Sequence, residues 1–147
     1  MPEFVSESPG ETEQIGSMLG KTLKAGDIVA IFGSMGSGKT VFVRGLASGM
    51  GIDEFVSSPT FAIVNEYRGH PPLYHFDMYR INSWNDLYST GFFDLANSGG
   101  VIAVEWSENI ENALPSDLVR VKITAGKNIE ERRIVITGEN RIDNSRS

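Results

Sequence analysis

Cysteine is absent from the 147-residue chain, which removes disulfide scaffolds, thiolate zinc sites and cysteine nucleophiles together. Histidine is scarce: with only His70 and His75, a histidine-built metal centre is not expected. Long apolar runs are missing too. The longest, Ile28 to Phe32, falls far short of the ~20 residues that a membrane-spanning helix needs. The opening Met1-Pro2-Glu3-Phe4 has neither the basic start nor the apolar stretch of a secretory signal. A cytoplasmic location with no membrane attachment is therefore expected. Basic charge is in the minority, 13 Lys and Arg against 19 Asp and Glu, for a formal net charge of −6. Apart from Arg132-Arg133 the basic residues are scattered, whereas a domain that binds nucleic acid alone usually carries a basic face. DNA binding is not expected, and any contact with RNA should be local or shared with a partner.

What remains is an ordinary soluble composition, and at roughly 150 residues per domain the length allows one domain. Residues 1–137 are expected to form it, with the polar 138–147 as a disordered tail. Phe4-Val5 suggests a short strand. Ser8-Pro9-Gly10-Glu11 joins a capping box to a proline at the first helical position, and Ile15, Met18, Leu19 and Leu23 follow at helical spacing, with Gly26 as the expected stop. Ile28 to Phe32 suits a strand covered on both faces. It enters a glycine-rich turn and then a helix through Phe42, Leu46 and Met50 that should end near Gly51. Phe61–Tyr67 and Leu73–Tyr79 read as a hairpin, Ser83–Ser89 and Phe92–Asn97 as short helices, Val101–Val104 as a second buried strand, and Leu118–Thr124 with Arg132–Thr137 as a closing hairpin.

Gly33-Ser34-Met35-Gly36-Ser37-Gly38-Lys39-Thr40 fits G-x-x-x-x-G-K-[ST] in full, between a buried-type strand and a helix. Such a loop must wrap a polyphosphate closely, so glycines supply positive φ angles and successive N–H groups form an anion nest. The helix that follows adds its unpaired N–H groups and the positive end of its dipole. Lys39 carries a point charge to the phosphates, and the Thr40 hydroxyl is a hard oxygen ligand for magnesium. The guanine-reading N-K-x-D motif is missing, which favours ATP.

Nucleotide hydrolysis also needs a carboxylate near the metal and a group that orients the attacking water. Glu105, at the end of Val101–Val104, stands where parallel α/β sheets expose functional residues; the alternative is an edge carboxylate facing solvent. Asp77 lies among aromatics in Tyr74-His75-Phe76-Asp77-Met78-Tyr79, on the side of the strand shared by His75 and Tyr79. It either serves the chemistry, pairs with Arg80 or is a hydrogen-bonded strand residue. Thr60, in Ser57-Ser58-Pro59-Thr60, is a candidate γ-phosphate sensor or part of an ordinary turn. Trp106 is either core, the simpler reading, or an interface anchor.

Several segments together resemble one family. Gly33 to Thr40 with Phe42-Val43-Arg44-Gly45-Leu46 is similar to the P-loop region of the bacterial tRNA threonylcarbamoyladenosine biosynthesis ATPase family, TsaE (also called YjeE). Ser58-Pro59-Thr60-Phe61 leading to Val64-Asn65-Glu66-Tyr67 resembles its switch segment. His75-Phe76-Asp77-Met78-Tyr79-Arg80 resembles its H-F-D-[LM]-Y-R motif, and Val104-Glu105-Trp106, with Leu114-Pro115 after it, its V-E-W motif. The resemblance implies a single-domain α/β P-loop NTPase fold, a central mixed β-sheet flanked by helices, acting on ATP with Mg2+. It implies Thr40 and Glu105 on the magnesium side, Asp77 in hydrolysis, a functional Trp106, and Thr12 and Arg132 near the adenosine. It implies two protein partners, TsaB and TsaD, which transfer the threonylcarbamoyl group to the adenosine beside the anticodon, so that tRNA is met through the complex. The P-loop departs from the family's common Gly-Asp-Leu-Gly-Ala-Gly-Lys-Thr at Ser34, Met35 and Ser37, and Val41 replaces a second threonine. A cradle built from backbone survives those changes. Rival expectations are a small-molecule kinase, against which the absence of an arginine-rich lid speaks, and a nucleotide sensor that does not hydrolyse.

Overall fold

In the computed structural model, which describes residues 3–34, 36–54, 56, 64–79, 81, 83–114 and 118–138, the apolar run Ile28–Phe32 forms β2 at the middle of a seven-stranded sheet. Met35 and Thr60 lie outside the described residues, as do Arg80, Pro115, Phe61 to Ile63 and the tail from 139. The strands are β1 (Glu3–Ser6), β2, β3 (Val64–Tyr67), β4 (Leu73–Asp77), β5 (Val101–Glu105), β6 (Val119–Ala125) and β7 (Arg132–Thr137). Their order is β1-β7-β6-β2-β5-β4-β3. Four strands, β6, β2, β5 and β4, run parallel; β7 and β3 flank them antiparallel, and β1 pairs antiparallel with β7, so the sheet is mixed.

Helices cover both faces, which is why β2 and β5 are apolar throughout their centres. Val29 and Ile31, Val101 and Ala103, and Val119, Val121 and Ile123 face one core with Ile15, Leu19, Phe42 and Leu46 of α1 (Pro9–Gly20) and α2 (Lys39–Gly49). Ile102, Val104, Tyr74 and Phe76 face a second core with Leu87 of α3 (Trp84–Ser89), Phe92 of α4 (Phe92–Ala96) and Ile110 of a 3-10 segment (Ser107–Ala113). Each fully buried side chain of this size stabilises by about 1.5–3 kcal/mol relative to exposure.

Ser8 caps α1, its Oγ accepting the Glu11 N–H at 3.1 Å, while the Glu11 carboxylate reaches back to the Glu7 N–H at 2.8 Å. The helix ends at Gly20, earlier than the expected stop. Thr22 Oγ1 donates to the Leu19 carbonyl there, and Gly26, at φ 92°, serves the turn into β2 instead. α1 and α2 meet through glycine on both sides. A Cβ on Gly16 or Gly20 would strike the backbone of α2 at the Phe42 or Leu46 carbonyl, and one on Gly45 or Gly49 would strike α1 at the Glu13 or Ser17 carbonyl. That close approach sets the angle at which α2, and with it Lys39 and Thr40, leaves β2.

Candidate functional site

The site is built where β2, β5 and β4 end together at their carboxyl edge. After β2 the chain turns through Gly33 to Gly38 and enters α2 directly at Lys39. Gly36 and Gly38 have φ of 79° and 101°, and a Cβ on either would meet nothing within 4 Å. Torsion, not space, therefore requires glycine at both. No side chain caps the start of α2, so the N–H groups of its first turn remain available to an anion.

Register brings the acids to this loop. Glu105 pairs with Ile31 on one side and Asp77 on the other, which puts both carboxylates on the sheet face from which α2 departs. The Thr40 hydroxyl donates to Glu105 Oε2 at 2.9 Å, and His75 Nε2 meets the same oxygen at 2.5 Å. Glu105 is 4% exposed and His75 is fully buried. With its O–H pointed at the carboxylate, the Thr40 oxygen keeps its lone pairs for a cation.

β4 stops at Asp77, so Tyr79 does not share its strand face as expected. Asp77 Oδ1 accepts the Tyr79 N–H at 2.9 Å, a local turn that ends the ladder, and the Tyr79 ring comes to rest on Trp106 at 4.9 Å between centroids. Burial raises the Asp77 carboxyl above its ordinary value and the nearby Glu105 charge adds to this, against the Tyr79 N–H, His75 and Lys39.

Lys39 is buried, and its Nζ donates to the loop carbonyls of Gly33 at 2.5 Å and Ser34 at 3.0 Å. The Trp106 ring covers the ammonium, 3.9 Å from Nζ to centroid. Burial pushes the Lys39 amine below its ordinary value, with Glu105, Glu108 and Asp77 pulling it back. Trp106 is the one described non-glycine residue at positive φ, at 60°. A left-handed tryptophan is strained by ~1–3 kcal/mol, and in that conformation Trp106 both packs against the second core and covers the lysine.

Gly36, Ser37, Gly38, Lys39, Thr40, Val41, Asp77, Tyr79, Glu105 and Trp106 line one cavity of about 430 Å3. Its Ser37 hydroxyl is buried without a hydrogen-bond partner among the described residues. Of the other residues singled out from sequence, Ser34 is exposed on the loop and contributes its carbonyl to Lys39. Arg132 reaches the loop from β7: Nε donates to the Ser37 carbonyl at 3.0 Å and Nη2 to that of Gly36 at 3.2 Å. Its other donor, Nη1, holds the Ile129 and Glu131 carbonyls of the β6–β7 turn. Arg132 is thus a strut under the cradle. Thr12 is not brought to the cavity: it is 2% exposed, its hydroxyl 2.7 Å from that of Ser6. Sequence reading passed over Glu108, whose carboxylate accepts the Gly33 N–H at 3.0 Å, and Ser107, which accepts from the Ile31 N–H and donates to the Val104 carbonyl, tying β2 to β5. Both stand within three residues of Glu105, which is the signal that points to them.

The Thr40 hydroxyl and the Glu105 carboxylate, joined at 2.9 Å between Oγ1 and Oε2, are hard oxygen groups that suit magnesium, which takes one or two protein ligands and completes its shell with phosphate and water. Among the described residues no group of three or more acidic, histidine or cysteine side chains forms a closed metal cage. The donor set therefore fits a nucleotide-borne cation.

The model of the threonylcarbamoyl adenosine biosynthesis protein TsaE family matches residues 6–134. The chain belongs to the TsaE family. Curated TsaE proteins of Treponema pallidum and Bacillus subtilis are 38% and 37% identical to it, over 81% and 88% of this chain and 88% and 81% of theirs. The crystal structure of Bacillus subtilis YdiB superposes with a TM-score of 0.75 at 34% identity, covering 97% of this chain and 88% of that one. The matched TsaE span takes in β2, the loop, α2 and both acid-bearing strands, so the resemblance covers the whole cavity. Among the described residues of this TsaE chain no helix is long and apolar enough to cross a membrane.

Proposed function

We propose that the chain is a magnesium-dependent ATPase that serves tRNA threonylcarbamoyladenosine biosynthesis together with the proteins TsaB and TsaD, meeting tRNA through that complex and not acting as the transferase. The observation that carries this reading is the convergence of a complete phosphate loop, Lys39, Thr40, Glu105 and Asp77 on one cavity. Family membership supports the modification role.

Each residue has a task in this reading. The loop N–H groups and the first turn of α2 hold the phosphates. Lys39 exchanges the Gly33 and Ser34 carbonyls for phosphate oxygens, and in doing so leaves the Trp106 ring. Thr40 and Glu105 hold magnesium, which when bound neutralises charge on the β and γ phosphates. Asp77, half-buried on the adjacent strand, orients the attacking water and takes up its proton; a carboxyl raised by burial is better suited to receive one near neutral pH. Trp106 senses whether Lys39 is engaged, and Thr60 reports the γ-phosphate to the partners. The acidic balance of the chain favours a protein partner over bare RNA.

Calorimetry with Mg-ATP and steady-state hydrolysis, alone and with TsaB, TsaD and tRNA, tests the reading. Lys39→Ala should weaken binding about a hundredfold, equivalent to about 2.7 kcal/mol. Turnover should rise when the partners are added. Unchanged binding by Lys39→Ala would remove the cradle. Zero turnover under every condition would make the chain a sensor, and stoichiometric phosphorylation of a metabolite would make it a kinase.

A further inference from the structure

Among the described residues, His75 is the one side chain hydrogen-bonded to Glu105 that has no task in the chemistry described so far. It is fully buried near the end of β4, opposite Ala103, the smallest side chain of β5. Its Nε2 lies 2.5 Å from Glu105 Oε2, the oxygen that also accepts the Thr40 hydroxyl. An ionised carboxylate only accepts, so Nε2 carries a proton, and Nδ1 is the second polar atom of the ring. That Nδ1 is buried with no hydrogen-bond partner among the described residues. A leucine would fill the same slot without stranding a polar atom, so packing does not account for a histidine here. What histidine supplies is a rigid N–H aimed at one particular oxygen of one buried carboxylate.

We propose that His75 is a positioning residue for Glu105. Its Nε2–H pins Oε2 beside the Thr40 hydroxyl, which fixes the carboxylate plane and leaves Oε1, and the lone pairs of Thr40, to the magnesium of the bound nucleotide. Oε1 has no hydrogen-bond partner among the described residues, as this requires. Outer partners that orient a metal-binding carboxylate commonly change metal affinity by ~10–100-fold. The proposal rests on the Mg-ATP reading of the cavity and adds to it the residue that sets the metal requirement.

The test is the magnesium dependence of ADP binding by the full chain, measured by calorimetry in EDTA and at increasing magnesium, with thermal melting alongside. ADP keeps turnover out of the readout. His75→Leu should need about tenfold more magnesium for half of the metal-dependent gain in affinity, while its affinity in EDTA stays that of the parent. His75→Gln, whose side-chain N–H can stand in place of Nε2–H, should recover most of the shift; His75→Asn, one bond shorter, should not. An unshifted magnesium midpoint in His75→Leu overturns the proposal. So does an equal loss of affinity in EDTA and in magnesium, which marks a merely structural role. If His75→Leu does not fold, the amide pair decides: a midpoint kept by Gln and moved by Asn supports the proposal, and equal midpoints overturn it. A parent that binds ADP with no response to magnesium refutes the cation reading itself, and a parent that binds no ADP refutes the nucleotide site. The proposal about His75 then falls with either, and those failures are distinct from its own.

Discussion

Replacing Gly45 by alanine sets two physical effects of opposite sign against each other. Alanine favours a helix interior by about 1 kcal/mol over glycine, and Gly45 lies in the middle of α2, so propensity alone makes the variant more stable. The geometry opposes this. A Cβ at Gly45 would overlap the Glu13 carbonyl oxygen of α1 and sit 2.9 Å from both the Glu13 carbonyl carbon and Gly16 Cα. Carbon atoms pack at about 3.5–4.0 Å, so the helices must separate by roughly 0.6–1.1 Å. The obstacle is backbone, which has no alternative rotamer, and the cost belongs at the upper end of the ~1–3 kcal/mol that overpacking exacts. Net destabilisation of about 1–2 kcal/mol is expected. At ~2–4 °C per kcal/mol for a chain of this size, the midpoint falls by roughly 2–8 °C. Urea unfolding should show a lower midpoint with an unchanged slope. Gly10→Ala is the control, since its Cβ would meet only Ser8 Oγ at 3.8 Å; it should be neutral or mildly stabilising. If Gly45→Ala melts at or above the parent, the glycine contacts do not set the α1–α2 spacing, and the account of how α2 is aimed fails.

Asp77→Asn keeps the oxygen that accepts the Tyr79 N–H but removes a desolvated charge. Because the folded-state value is raised, the parent's proton is bound more tightly when folded; stability linked to it is full below the ordinary 3.8 and lost as pH rises through the folded value. The variant should therefore gain most over the parent at neutral pH, with the gain shrinking toward pH 3.8 in urea melts, while ATP turnover is lost. A gain that is flat with pH, or retained turnover, would refute it. In a Trp84→Phe background, which removes the other, exposed tryptophan, Mg-ATP should change the Trp106 emission as Lys39 leaves its ring. Unchanged emission with binding confirmed by calorimetry would show that Lys39 stays on its loop carbonyls. Arg132→Ala should weaken ATP binding about tenfold by freeing the Gly36 and Ser37 carbonyls, and equal affinity would remove the strut.

The loop, both buried strands, the Ser8 cap, the β3–β4 and β6–β7 hairpins and the α3–α4 helix pair were legible because each is a local signal: glycine spacing, apolar runs, capping chemistry. So were the acids, since Glu105 follows a buried strand and Asp77 interrupts aromatics. What was not legible is adjacency. Nothing near residue 77 in the sequence says that β4 lies beside β5 in the register Asp77↔Glu105, and the His75–Glu105 contact follows only from that register. The resemblance placed Arg132 near adenosine, and a basic residue by itself gives no hint that carbonyls 95 and 96 positions away will accept from it. The early end of α1 was missed because glycine at 26 is the stronger punctuation mark, yet the helix ends at Gly20, where the Thr22 hydroxyl donates to the Leu19 carbonyl. The glycine seam was available in principle. Gly16 and Gly20, then Gly45 and Gly49, recur four apart within helical patterns, where an unforced glycine costs stability and needs a packing reason.

Where the chain is strained is as informative as where it is satisfied. Its helix caps at Ser8 and Ser83 have their bonds and its two cores are closely filled. The exceptions gather around one cavity: a left-handed Trp106, a buried Lys39 turned on its own loop, a desolvated Asp77, an unpartnered Ser37 hydroxyl, and His75 with a stranded Nδ1. Natural sequences break local rules mainly at functional sites. A triphosphate would replace the carbonyls at Lys39 and offer an acceptor to Ser37. It would also bring a cation to the Thr40–Glu105 pair that His75 holds. One ligand therefore answers the departures at Lys39 and Ser37 and meets the Thr40–Glu105 pair as well, which an apolar ligand would not. That convergence, and not the loop motif alone, is what supports the proposal of a magnesium-bound nucleoside triphosphate as the occupant of this cavity.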